Sequence, residues 1–355
     1  MSKYWSNLVK NIVPYVPGEQ PQDKQYIKIN TNENPYPPSP KAIEAMKAAI
    51  GENIRLYPDP ECKRLRDAIA HCFNLSREHV FVGNGSDEVL AFAFMAFFNP
   101  GLPILFADIT YSFYPVYSSL FNIEYKLIEL DDNFDLPVDR LLSGNGGIII
   151  ANPNAPTGKY IGLDCIEKIL ISSNNSVVVV DEAYIDFGGE SAAGLVNKYT
   201  NLLIIRTMSK SHSLAGLRVG YALGHEDLIQ GLDRIKNSIN SYTLDRVALA
   251  GAEEALRDAE YFDTTRRKII ATRDRVTEKL RDMGFKVIDS QTNFVFTSHD
   301  KISGGELFKQ LKDMGILVRY FNKPRIDNYL RVSIGTDYEM DCFLDAVGKI
   351  IESKV

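Results

Sequence analysis

The sequence predicts an α/β protein: a large domain with a mostly parallel sheet covered by helices, a smaller α+β domain and an N-terminal arm. Three observations carry this. The apolar runs at 103–106, 147–151, 177–180 and 202–205 are continuously hydrophobic rather than alternating, the pattern of strands buried on both faces. Helical stretches at 111–121 and 163–171 are interleaved with these runs, as parallel strands require. From about residue 238 the pattern changes. Two long helical segments, 247–256 and 264–283, are followed by short strand-like runs at 285–288, 293–297, 316–319 and 329–334, with a helix at 306–313. The expected division is an arm over residues 1–38, a large domain over 39–240 and a small domain over 241–355.

Taken in order, the arm is rich in Pro, Asn and Gln, and Asn32-Glu33-Asn34-Pro35-Tyr36-Pro37-Pro38 cannot form a helix interior. It reads equally as a surface leader or as a segment draped over a site. Ser39 is placed to cap a helix carrying Ile43, Met46 and Ile50 on one face. Arg55-Leu56-Tyr57-Pro58-Asp59-Pro60 breaks the chain before a helix with Leu65, Ile69 and Phe73 inward. The strand 80–82 runs into Gly83-Asn84-Gly85-Ser86-Asp87-Glu88, a glycine-containing turn with Ser86 as a helix cap. The free N–H groups of such a helix start can take a phosphate, although serine caps begin many helices that bind nothing. A further strand is expected at 125–130, and Thr336-Asp337-Tyr338-Glu339 is a capping box opening the last helix.

Composition narrows the function. A net charge of −6 provides no basic field for a nucleic-acid backbone. The four cysteines are scattered without a CxxC pair, so neither a metal site nor a disulfide framework is expected. No apolar run reaches the length of a membrane span, and the first ten residues lack the apolar core of a signal peptide, so a cytoplasmic protein is expected.

The chemistry concentrates at Thr207-Met208-Ser209-Lys210-Ser211-His212-Ser213-Leu214-Ala215-Gly216-Leu217-Arg218. A lysine at a strand end is ordinarily a solvated side chain. Here hydroxyls, a glycine and Arg218 surround it, and these make an anion cradle. An amine beside a phosphate site is what a pyridoxal-phosphate enzyme needs: the amine bonds to the aldehyde and the cradle holds the phosphate. Asn152-Pro153-Asn154-Ala155-Pro156-Thr157-Gly158 and Asp181-Glu182-Ala183-Tyr184 follow two other strands. Ligands of parallel sheets sit beyond the carboxyl ends of the strands, so the three clusters converge on one rim.

These motifs resemble those of the fold-type I pyridoxal-phosphate-dependent aminotransferases. With Asn32-Glu33-Asn34-Pro35, Arg55-Leu56-Tyr57-Pro58 and Leu330-Arg331-Val332-Ser333-Ile334-Gly335-Thr336, the chain is similar nearly end to end to the histidinol-phosphate aminotransferases among them. The resemblance implies Lys210 as the cofactor-bonding and proton-carrying amine, Asp181 as partner of the ring nitrogen and Tyr184 as hydrogen-bond donor to the cofactor's 3-oxygen. It implies Tyr111 stacked on the ring, and Gly85, Ser86, Asp87, Thr207, Ser209 and Arg218 around the phosphate. Arg331 is implied as the carboxylate-binding residue, with Arg319, Tyr15 and Asn34 as further substrate contacts. It also implies a homodimer with shared sites, in which Tyr57 reaches the partner's cofactor phosphate. The bland readings are a helix cap or loop ion pair for Asp181, a core aromatic for Tyr111, a surface ion pair for Arg331 and a tyrosine packed over its own helices for Tyr57.

One position departs from the family pattern. The asparagine that usually precedes Pro-Thr-Gly is Ala155 here. Asn152 or Asn154 replaces it, with Asn154 favoured, or Tyr184 serves alone, and Ala155–Pro156 is a candidate cis bond. The implied activity is amino transfer between histidinol phosphate and 2-oxoglutarate. A decarboxylase resembling threonine-phosphate decarboxylase is the alternative. An idle regulatory or scaffold domain is opposed by the retained Lys210, Asp181 and Arg218.

Overall fold

The computed structural model describes residues 2–142 and 146–353. The chain opens with a short helix α1 (Asn7–Asn11) and strand β1 (Ile27–Lys28), then helices α2 (Pro40–Ala49) and α3 (Lys63–Cys72). There follow β2 (Val80–Asn84), α4 (Gly85–Phe97), β3 (Ile104–Ala107), α5 (Phe113–Leu120), β4 (Tyr125–Ile128) and β5 (Ile148–Ala151). Helix α6 (Leu163–Ser172) leads to β6 (Val178–Asp181), β7 (Leu202–Thr207) and β8 (Val219–Gly224). Helices α7 (Glu226–Ile239), α8 (Arg246–Arg257) and the 24-residue α9 (Ala259–Asp282) come next. The last part holds β9 (Lys286–Ile288), β10 (Phe294–Ser298), α10 (Gly304–Asp313), β11 (Ile316–Leu317), β12 (Arg319–Tyr320), β13 (Leu330–Ser333) and α11 (Asp337–Glu352).

Seven strands form the central sheet in the order β2-β8-β7-β6-β5-β3-β4. The five from β7 to β4 are parallel, whereas β8 is antiparallel to both neighbours. Strands β6, β7 and β8 are buried along their whole length, because helices cover both faces, and this explains their continuous apolar runs. Strand β8 has no counterpart among the expected elements, since two glycines interrupt Val219-Gly220-Tyr221-Ala222-Leu223-Gly224. Gly220 is required by close approach: a Cβ there would stand 2.2 Å from the Ser86 nitrogen. Helix α7 was likewise not expected.

Strands β12-β13-β10-β9 form an antiparallel sheet with its own apolar core, which includes Ile269, Val295, Val332, Phe343 and Val347. The arm contributes to this unit, because β1 pairs in parallel with β11. Helix α8 shares the core of α2 and α3 through Ala248 and Ala252.

Two local expectations are corrected. Ser39 precedes α2, but its hydroxyl donates to Asp258 (2.5 Å) and caps no backbone group. Helix α4 begins one residue before Ser86, with Asn84 at the N-cap, and the Asn84 N–H donates to the Glu88 carboxylate (2.6 Å). The Thr336–Glu339 capping box forms as expected. Ala155–Pro156 is cis, and so is Asn152–Pro153. No described helix is long and apolar enough to cross a membrane.

Candidate active site

The carboxyl ends of the parallel strands open into a cavity of about 670 Å³. Strand β6 delivers Asp181, β7 delivers Thr207 and the turn bearing Ser209 and Lys210, and the start of α4 delivers Ser86 and Asp87. Tyr111 and Tyr184 line the same space, as do Arg218, Arg319, Arg331 and Tyr15.

Asp181 is 5 % exposed. Tyr114 Oη donates to its Oδ2 (2.8 Å) and the Ala183 N–H to its Oδ1 (3.2 Å). Burial pushes its pKa up to about 6, only partly opposed by these bonds. Among the described residues no cation pairs with it. A buried carboxylate on a cavity wall without a cation is suited to a ring N–H⁺.

Lys210 follows β7, and its amine donates to the Thr31 carbonyl (3.3 Å). Burial, with the Arg331 charge, lowers its pKa to about 8, against the opposing pull of Glu33 and Asp87. Near neutral pH a far larger share of such an amine is neutral than at the ordinary lysine pKa. The turn is held from behind by a charged network that the sequence reading did not single out. Ser211 Oγ donates to Asp186 Oδ2 (2.5 Å), and the Asp186 carboxylate pairs with Arg206, which also faces Glu182 (3.7 Å). Burial is the largest single influence and opposes the Asp186 charge, but the Arg206 guanidinium, His212 and the Ser211 hydroxyl together outweigh it and hold the carboxyl below its usual range.

Around the α4 N-terminus the parts of a phosphate cradle lie together. Arg218 Nη2 pairs with Asp87 Oδ2 (3.0 Å), and Tyr111 Oη donates to Asp87 Oδ1 (2.8 Å). Thr207 Oγ1 donates to Ser209 Oγ (3.0 Å). Gly85 sits at φ 81°, and a Cβ there would meet Arg218 Nη2 at 2.5 Å, so only glycine lets backbone and guanidinium converge. Backbone N–H groups at a helix start, hydroxyls and a guanidinium are the donor set a phosphate takes.

Arg331 carries the other end. Its Nη2 donates to the Asn30 carbonyl (3.0 Å), its Nε is buried without a partner, and its guanidinium lies over the rings of Phe294 and Phe321. Arg319 holds the arm through the carbonyls of Val16 and Pro17 (both 3.3 Å). Neither arginine has a carboxylate partner among the described residues. Tyr15 stacks on Phe113 with ring centres 4.3 Å apart.

Four expected residues lie outside this cavity. Asn154 does not line this cavity. Its Oδ1 accepts from Thr110 Oγ1 (2.8 Å), and its Nδ2 donates to Ile109 O and Thr157 Oγ1 (both 2.9 Å), so its amide is committed to the loop. Asn152 is committed likewise, to both backbone groups of Ile161. Asn34 braces the lysine turn from behind, its Nδ2 donating to the carbonyls of Lys210 (2.9 Å) and Ser211 (3.2 Å). Tyr57 is 77 % exposed and stacks on Tyr242 outside the cavity of its own chain.

The amide at the phenol belongs to Asn32, whose Nδ2 donates to Tyr184 Oη (2.8 Å). Ser333 Oγ and the Asn293 amide fix Asn32 in turn, donating to its Oδ1 (2.8 Å) and carbonyl oxygen (3.0 Å). Its left-handed backbone, φ 57°, is one that asparagine tolerates. The Asn-Glu-Asn-Pro stretch carried the signal, but not which asparagine faces the cavity.

Comparison with known proteins agrees with this geometry. The family model of aminotransferase class I and II matches residues 24–347. The chain is 59 % identical to the histidinol-phosphate aminotransferase of Clostridium acetobutylicum, over 99 % of this chain and 100 % of that protein. It is 55 % identical to that of Clostridium beijerinckii, over 99 % of each. The crystal structure of histidinol-phosphate aminotransferase from Sinorhizobium meliloti, in complex with pyridoxal-5'-phosphate, superposes with a TM-score of 0.91 at 25 % identity, covering 100 % of this chain and 99 % of that one. An amine of lowered pKa, a buried unpaired carboxylate and a phosphate-type cradle thus meet at the rim of a sheet of this type, and the chain belongs to the class I and II aminotransferases, in the histidinol-phosphate aminotransferase family.

Proposed function

We propose that this chain is a cytoplasmic, homodimeric enzyme of histidine biosynthesis that transfers an amino group between L-histidinol phosphate and 2-oxoglutarate, giving imidazole-acetol phosphate and glutamate. The observation that carries this reading is the presence of two guanidiniums, Arg331 and Arg319, that have no carboxylate partner among the described residues, in the cavity that holds Lys210 and Asp181. Histidinol phosphate bears a phosphate where an amino acid bears its carboxylate, so one cationic end serves both substrates.

Pyridoxal phosphate, when bound, supplies an aldehyde that takes up amines and a ring that withdraws electrons from the adjoining carbon. Ser86, Thr207, Ser209 and Arg218, with the backbone at Gly85, would hold its phosphate. The Asp181 carboxylate would favour a proton on the ring nitrogen. Tyr184, braced by Asn32, and Tyr111 would contact the ring. The Lys210 amine would bond to the aldehyde and, when free, would take a proton from the substrate carbon and hold it.

The test is formation of glutamate from histidinol phosphate and 2-oxoglutarate by purified protein. Release of carbon dioxide from threonine phosphate, with no transfer from histidinol phosphate, would overturn the reading in favour of a decarboxylase. Arg331→Lys is expected to lower kcat/KM about 10–100-fold in both half-reactions, because a point charge replaces a planar fork. A loss confined to one half-reaction would show that Arg331 does not serve both substrates.

The shared site is tested through Tyr57, whose exposed ring and neighbours Ile54 and Leu56 form an apolar edge. Tyr57→Phe, once shown to be impaired alone, is mixed with Lys210→Ala chains and allowed to exchange subunits. If Tyr57 acts across the interface, the heterodimer concentrates both lesions in one site, and activity returns from the intact one. No recovery after verified exchange would place Tyr57 outside the partner's site.

A further inference from the structure

Between β12 and β13 the chain leaves the small sheet, and Phe321, Lys323, Pro324, Arg325 and Ile326 of this loop face the cavity. Arg325 reaches across to the other unit. Its Nη1 donates to the Asp108 carboxylate just beyond β3 (2.8 Å), and its Nη2 to the carbonyls of Leu130 (2.6 Å) and Asp131 (3.0 Å) beyond β4. Asp108 is itself fixed, because its Oδ1 accepts from the N–H groups of Ile109 (2.9 Å) and Leu130 (3.0 Å). Arg325 sits at φ 71°, a left-handed conformation that a residue with a side chain keeps only when its surroundings hold it there. Beside it Ile326 is buried in an apolar cluster with Ile109, Leu130 and Phe134. At the start of the loop, the guanidiniums of Arg319 and Arg331 lie 5.4 and 5.6 Å from the ring centre of Phe321.

We infer that Arg325 is a positioning residue for anion binding: by clamping the loop to Asp108 and the carbonyls of Leu130 and Asp131, it fixes Phe321 and hence the Arg319 and Arg331 guanidiniums at the spacing a substrate carboxylate or phosphate needs. This rests on the reading of those two arginines as the substrate's anion-binding groups. Arg325 acts through the loop, since both terminal nitrogens of its fork are engaged by the large unit. Such a clamp matters because displacement of a binding group by about 1 Å can cost on the order of 10²-fold.

The experiment titrates holoenzyme with glutarate, a dicarboxylate without a keto group to react, followed by the cofactor's absorbance. Arg325→Met is expected to weaken glutarate binding roughly tenfold and to raise KM for 2-oxoglutarate and histidinol phosphate alike, with kcat within about twofold and cofactor affinity at the parental value. Arg325→Lys, which can keep the Asp108 pair, should recover part of the loss. Glutarate binding within about twofold of the parent in Arg325→Met overturns the inference. Parallel losses of kcat, cofactor affinity and Tm overturn it too, because they mark a merely structural side chain. Should Arg325→Met not fold, Asp108→Asn is read by the same criteria, since it retains the acceptor for the two backbone N–H groups. If the parent does not turn over histidinol phosphate, the functional reading fails, while the glutarate titration still decides the clamp.

Discussion

Lys210→Ala is expected to leave a protein that binds pyridoxal phosphate non-covalently and transfers no amino group, with turnover lower by roughly 10⁴-fold or more. The expectation follows from two separable parts of the site. The cradle of Gly85, Ser86, Thr207, Ser209 and Arg218 is built on the α4 start, the β7 end and the residue preceding β8, and none of its contacts passes through the Lys210 side chain. An amine assigned to carry the proton would have no substitute, because among the described residues no other lysine near the β7 end lines the cavity; Lys323 enters it only from the β12–β13 loop. The lowered Lys210 pKa of about 8 adds a stability signature in cofactor-free protein. Between about pH 8 and the ordinary lysine value near 10.5 the unfolded chain binds more protons than the folded one, so stability rises with pH across that window. The alanine variant should lose this slope. Borohydride should attach the cofactor to the Lys210 peptide of the parent and leave the variant unlabelled. Turnover within about tenfold of the parent would show that Lys210 is not the proton carrier.

Asp181→Asn is expected to retain the cofactor and to slow proton abstraction by about 10²–10³-fold, the usual cost of removing one preorganised electrostatic partner. An amide of the same shape can still accept from the Ala183 N–H at Oδ1 and reverse the Tyr114 bond, its Nδ2 donating to Oη, but it cannot hold a proton on the ring nitrogen. Burial has raised the Asp181 pKa from the ordinary carboxylate range to about 6. In cofactor-free protein the folded chain therefore binds more protons between about pH 4 and 6, and stability falls as pH rises through that window. Asp181→Asn should abolish the fall and leave the cofactor-free chain more stable above pH 6, while weakening catalysis. A variant within about threefold of parental activity would make Asp181 a structural residue.

Much of this was legible in the sequence because it is written in local patterns. Continuous apolar runs at β5, β6 and β7 record burial on both faces of a parallel sheet, and the polar clusters that end them, at Asn152, Asp181 and Lys210, mark the ligand-bearing rim. The capping box at Thr336 is likewise a matter of four consecutive residues. What the tertiary structure alone decided depends on contacts between distant segments. Strand β8 is glycine-interrupted because its backbone passes against the α4 start, a constraint invisible in its own six residues. Three asparagines, Asn32, Asn152 and Asn154, offer the same amide, and only the folded arm brings Asn32 to the Tyr184 hydroxyl while loop hydrogen bonds occupy the other two. The clamp of Arg325 on Asp108 spans 217 positions. A side chain's chemistry is set by its type, but its partner is set by packing across the sheet rim, so residue types could be read in advance and their pairings could not.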